Sequence, residues 1–412
     1  MLIQQKKNRK NRWVGLCSKG EIEMKKVNQN RLIQTFQHLV EMDSPSLGER
    51  QVGQFLAEQL TALGLSVSED DAGIQLGGNC GNLYCHWEGS DNGGKEAPLL
   101  FSAHLDTVEP SRGKKAVILP DGTIRSAGDT VLGADDFAGV AAILEAVRTI
   151  AEKKLPHREI ELLFSVAEEI YSGGATHFNY EQLKAKEAYV LDLSGPIGNC
   201  AYRAPTIFAF TAEFEGKSAH AGFAPETGAN AIAAAAKAIA SIRQGRVAES
   251  LTVNIGKIEG GTARNIVSDY CLVQGEIRSN PHALSVEQYE KIKNHFTKVA
   301  QTFGVNVSFS HQIGCMAYET PKELPVVQRV KHACEACGIP FKLIETFGGS
   351  DNNHFVRHGM SGVVLACGMR DCHSTKEQSH VDELTRAARL VVQIMTDVTG
   401  DSTREKEAEG RI

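Results

Sequence analysis

The chain has 412 residues, 42% hydrophobic and 23% charged, which is ordinary for a folded protein and long enough for two cores. A formal net charge of −6 argues against a nucleic-acid partner held by bulk electrostatics, and no apolar run approaches the roughly 18 residues needed to span a bilayer. Ten cysteines without a framework spacing point to reduced thiols and a cytoplasmic protein.

Residues 1–27 are basic, lack an apolar signal segment and read as a disordered tail. From Gln29 to Leu63 the apolar spacing predicts helices interrupted at "DSPSLGE", where Ser46 and Glu49 fit a capping box. Two strands follow, "NLYCHWEG" and "PLLFSAHLDTV", joined by a turn-rich segment that reads as a hairpin. Gly89-x4-Gly94-Lys95 in that segment only resembles a phosphate loop, because Glu96 stands where a Ser or Thr would hold magnesium. A helix over 137–152, a strand over 159–167, a helix over 175–185 and the strand "EAYVLDLSG" then spell a largely parallel α/β sheet.

The pattern changes after residue 202. Strand 206–216, helix 226–244, strands 250–258 and 266–278, helix 285–303 and strand 305–311 form a ferredoxin-like β-α-β-β-α-β unit. The α/β rhythm resumes with helix 324–337, strands "FKLIET" and "SGVVLAC", and a helix over 381–398. Cys334-x-x-Cys337 lies in the first of these helices with no second CxxC, so two thiols on one helix face is the simpler account. The expected organisation is a catalytic domain in two parts, 28–201 and 314–400. An inserted domain covers 202–313, and a short tail covers 401–412.

Ligands of parallel sheets bind beyond the carboxyl ends of the strands. Those ends supply His104 and Asp106, the pair Glu168 and Glu169, Asp192, and His373 just past its strand, while Asp135 and Asp136 precede a helix. Taken singly, a strand histidine is usually a satisfied core residue and an Asp before a helix an N-cap. Taken together, so many acids in one place without Lys or Arg repel one another unless a cation is present. Two histidines among oxygen donors suit zinc, with cobalt or manganese as alternatives, and the number of ligands favours two ions sharing a carboxylate. One of the adjoining glutamates can then ligate while the other takes a proton from water.

The motifs "SAHLDTV", "LGADDFAGVAA", "SVAEEIYSGGA", "GKSAHAGFAPETGANAI" and "CHSTKEQ" resemble, in order, those of the dinuclear zinc exopeptidases and amidohydrolases, over about residues 28 to 400. That family includes peptidase T, carboxypeptidase G, aminoacylase and succinyl-diaminopimelate desuccinylase. Asp192 in "YVLDLSG" is similar to the peptidase T branch. The resemblance implies a mostly parallel sheet flanked by helices, with an inserted lid and dimerisation domain that makes a homodimer. It also implies that His104 and Asp192 bind one metal, Glu169 and His373 the other, and that Asp135 bridges them. Glu168 is then the general base and acid, and Asp106 fixes the tautomer of His104. His373 is preferred to His380 because His373-x3-Glu377 keeps the family spacing. His220 of the partner subunit stabilises the tetrahedral intermediate, Asn265 and Arg278 hold a substrate carboxylate, and "GGSDNNHF" resembles a substrate loop. The activity implied is release of the N-terminal residue of a short peptide, tripeptides in particular. The alternatives are a carboxypeptidase or N-acyl-amino-acid deacylase, or a non-catalytic metal- or peptide-binding protein.

Overall fold

A computed structural model describes residues 26–90 and 96–398. The expected tails, apart from Lys26 and Val27, lie outside these residues, as does the end of the phosphate-loop look-alike. The described residues divide into two compact units, one within 26–202, 320–344 and 358–398, the other of 203–319 and 345–357.

The first unit is built on a mixed sheet. Its strands run in the order Ser66–Glu69, Leu83–Trp87, Ile160–Ser165, Leu99–His104, Glu187–Leu193, Ser361–Ala366 and Asn199–Ala204. The central pairs are parallel and the flanking ones antiparallel. Every residue of Leu99–His104 and Ile160–Ser165 is buried, as expected of central strands covered on both faces. Leu83–Trp87 pairs with Ile160–Ser165, not with Leu99–His104, so the expected hairpin does not form. The fully buried 160–165 strand takes the position between them, where both its edges find partners.

Helix Ala134–Lys153 packs against the sheet and against helices Gln29–Val40 and Val381–Met395. Its buried Glu145 receives the Arg31 guanidinium at 2.8 Å and the Asn28 N–H at 2.8 Å, which compensates its burial. Gly139 marks its closest approach to strand Glu187–Leu193, since an added Cβ would stand 2.5 Å from the Leu191 carbonyl oxygen. The helix expected over 175–185 is only Gly173–His177, followed by a 3-10 turn over Tyr180–Gln182. Phe178 is extended between them, and the Asn179 side chain caps the second turn.

The second unit has five antiparallel strands in the order Gly245–Ala248, Leu251–Gly260, Tyr270–Ser279, Thr206–Glu215 and Asn306–Cys315, with helices Ala231–Ala240 and His282–Thr302. Without the short edge strand, this is the ferredoxin-like order read from the sequence. Phe208, Phe210, Ala212 and Phe214 alternate along one strand face and meet Ala231, Ala234, Ala235 and Ala238, whose small side chains let the helix lie close. Residues 345–357, expected in the catalytic part, belong to this unit. The Asn353 amide donates to the carbonyls of Pro205 and Met316, and Arg278 donates to that of Phe347.

Candidate metal centre

In the parallel pairing His104 lies opposite Ser165, so residues 104–106 and 166–169 leave the sheet side by side. Asp106 ties them together. Its Oδ1 accepts the Glu168 N–H at 2.9 Å, and its Oδ2 accepts the Glu169 N–H at 3.1 Å and the Ser46 hydroxyl at 2.6 Å. Ser46 therefore serves the site and not a helix cap. Glu49, its expected partner, accepts from the N–H groups of Leu47 and Ala167, and helix Arg50–Ala62 has no side-chain cap. The His104 Nδ1 is 2.9 Å from the Asp106 carbonyl and 3.4 Å from its carboxylate, so this nitrogen carries the proton and Nε2 is left for a ligand.

The loop before helix Ala134–Lys153 is held by Glu377. One carboxylate oxygen accepts from Leu132 and Gly133 at 2.8 and 2.7 Å, and the other accepts from Asp135 at 2.9 Å. Asp135 is not helical, with φ −84° and ψ 98°. It is Asp136 that caps the helix, accepting the Gly139 N–H at 3.1 Å and also the His104 main-chain N–H at 3.2 Å. One acid of the pair is thus the cap and the other faces the site. His373 follows in a loop whose base is closed by Arg370 and Gln378 main-chain bonds, and it adopts a left-handed φ of 60°. Such a conformation is uncommon for a non-glycine residue and clusters at functional sites.

Asp135 presents one oxygen to each imidazole: Oδ1 is 3.0 Å from His104 Nε2, and Oδ2 is 3.4 Å from His373 Nε2. Glu169 Oε2 is 2.9 Å from His373 Nε2. Ligand atoms of His104, Asp135 and Glu169 lie within 4.8 Å of one another, as do those of His104, Glu168 and Asp192. His380 is elsewhere: its Nε2 donates to the Asp121 carbonyl and its Nδ1 caps helix Val381–Met395.

Burial pushes the Asp192 carboxyl well above the usual range, and the charges of Asp135 and Glu168 push it further. Burial also raises Glu169. Asp135 is buried too, yet hydrogen bonds from His104 and His373 outweigh burial and hold it below its usual value. The same bond from Asp135, with one from Glu169, lifts His373 to about 10. Among the described residues, the strongest charged influences on these acids are one another and the two imidazoles, with no lysine or arginine among them. Two imidazoles and several carboxylates facing one volume fit divalent cations.

His220, Asn265 and Arg278 all lie in the second unit. The His220 Nδ1 accepts the N–H groups of Gly222 and Phe223, both at 3.1 Å, which puts the ring proton on Nε2. Asn265 is exposed, and its carbonyl accepts the Ala221 N–H. Arg278 donates to Glu276 at 2.6 Å and to the Phe347 carbonyl at 2.8 Å. Sequence reasoning left Glu377 and Ser46 without a site role. Only the His373-x3-Glu377 spacing hinted at the first.

A family profile described as "Peptidase dimerisation domain" matches residues 205–303, and one described as "Peptidase family M28" matches residues 82–233. The uncharacterized protein YqjE of Bacillus subtilis is 35% identical, over 90% of this chain and 99% of the relative. The aminopeptidase PepT from Bacillus cereus superimposes with a TM-score of 0.82 at 38% identity, covering 90% of this chain and 99% of that one. A tripeptidase from Staphylococcus aureus gives 0.86 at 34% identity with the same coverage.

Proposed function

The chain belongs to the peptidase T-like branch of the M20 metallopeptidases, and from that premise we propose that it releases the N-terminal residue of tripeptides and similar short peptides, using two divalent metal ions. The carrying observation is the position of Asp135, whose oxygens face two different imidazoles that approach from separate segments of the chain. His104 and Asp192 would hold one ion, Glu169 and His373 the other, with Asp135 shared. Zinc suits this mixture of imidazole and carboxylate, and cobalt or manganese would replace it. When bound, such ions lower the pKa of water toward ~7 and polarise a scissile carbonyl.

The remaining roles fall to the chain itself. Glu168, close to His104 and Asp192, takes the proton from the attacking water and passes it to the leaving amine. Asp106 keeps Glu168 and Glu169 in register through their main-chain N–H groups. His220, with its proton on Nε2, is suited to donate to the developing oxyanion, in the dimer that the dimerisation domain implies. Asn265 and Arg278 are proposed contacts for the substrate carboxylate, and Arg278 would exchange Glu276 for it. The described cysteines are free thiols, which supports a cytoplasmic location, and no described helix is long and apolar enough to cross a membrane.

The test is Glu168→Gln assayed against a panel of tripeptides, dipeptides, N-blocked peptides and N-acyl amino acids. Metal content should be kept while turnover of tripeptides falls by about 10²- to 10⁴-fold. The wild type should require a free α-amine. Turnover of N-acyl substrates alone would instead make the enzyme a deacylase, and near wild-type turnover by a metal-replete variant would remove Glu168 from the mechanism.

A further inference from the structure

We infer that Ser172 is a positioning residue for Glu168, holding the carboxylate that moves the proton; the inference rests on the assignment of Glu168 above. The Ser172 hydroxyl donates to Glu168 Oε1 at 3.1 Å, and its main-chain N–H donates to the Glu168 carbonyl at 2.7 Å. A single buried residue thus binds both ends of the glutamate, with 1% of its own surface exposed.

A structural reading of this serine fails on the local geometry. Ser172 is the N-cap of helix Gly173–His177, and a serine there normally turns its oxygen to the N–H groups of the first turn. This one makes no side-chain cap bond. Its φ of 50° is left-handed, a region that favours glycine, and the two glycines that follow show that the chain supplies glycine freely here. Ala167 at 53° and Tyr171 at 68° share the same uncommon conformation. Together with the bonds from Gly173 to Ala167 and from Gly174 to Val166, they fold residues 166–174 into a tight return. That return carries the hydroxyl back over the carboxylate four residues earlier. The Glu168 Oε1 is thereby fixed by the Ser172 hydroxyl.

Ser172→Ala and Ser172→Gly remove the hydroxyl, and the glycine variant also relieves the backbone, so loss of activity in it cannot be laid to misfolding. Both should retain metal and KM within about twofold, while kcat falls about tenfold to a hundredfold, the range for a hydrogen bond to a charged group. Placed in a Glu168→Gln background, Ser172→Gly should cost nothing further, because the pair acts as one unit. Unchanged kcat in Ser172→Gly, beside an inactive Glu168→Gln, would overturn this inference and leave the proposed function standing. An equal loss in both backgrounds would overturn it as well. An active Glu168→Gln would instead strike at the role of Glu168, and Ser172 would lose its purpose with it.

Discussion

His373 is the most exposed member of the imidazole and carboxylate set, at 55%, yet it is held by two acids. Asp135 and Glu169 raise it to about 10, so the metal-free chain keeps a proton there at neutral pH. A metal ion needs the neutral ring and must expel that proton. Asp192, pushed up by burial and by Asp135 and Glu168, acts in the same direction. Metal affinity should therefore strengthen as pH rises toward about 10 and weaken as it falls. Calorimetric titration of zinc into the metal-free protein near pH 7, in buffers of different ionisation enthalpy, should show net proton release. Buffer-independent heats would contradict the geometry of His373. At this scale the sequence disclosed the ligand types but not their division of labour. Asp135 and Asp136 are adjacent and alike, and only the backbone break at Asp135 decides which one caps the helix. Ser46 was misread because a serine three residues before a glutamate is also a capping box. Ser172, before two glycines, looks like any turn residue.

The decisive contact between elements is that of helix Ala134–Lys153 with strand Glu187–Leu193. Gly139 admits the Leu191 carbonyl, and an added Cβ would also stand 2.5 Å from Asp136 Oδ1. Gly139→Ala should push the helix away and destabilise the protein by about 1–3 kcal/mol, read as a lower midpoint in a denaturant melt with little change in slope. Asp136 accepts the His104 N–H, so metal affinity should fall in the same variant. An alanine variant as stable as wild type would mean that the close approach carries no energy. The central strand was legible because its short apolar run lies between Glu161 and Glu168, although its end falls at Ser165, before the apolar Val166 and Ala167. The 175–185 helix was overextended because nothing in its composition foretells the break at Phe178.

At the scale of the whole molecule, the switch from parallel α/β rhythm to β-α-β-β-α-β was legible, since strand and helix periods differ and alternate cleanly. The return of residues 345–357 to the second unit was not, because it depends on Asn353 reaching two carbonyls distant in sequence. What unifies the first unit is the convergence of strand-end acids and imidazoles, with no lysine or arginine of the described residues among their strongest charged influences. Elemental analysis of the purified full-length protein after equilibration with zinc, run beside a tripeptide assay, tests this most directly. Two ions per chain are predicted, with activity lost on chelation and restored by zinc, cobalt or manganese. A chain that binds no metal, or hydrolyses tripeptides equally well after its metal is stripped, would contradict the account.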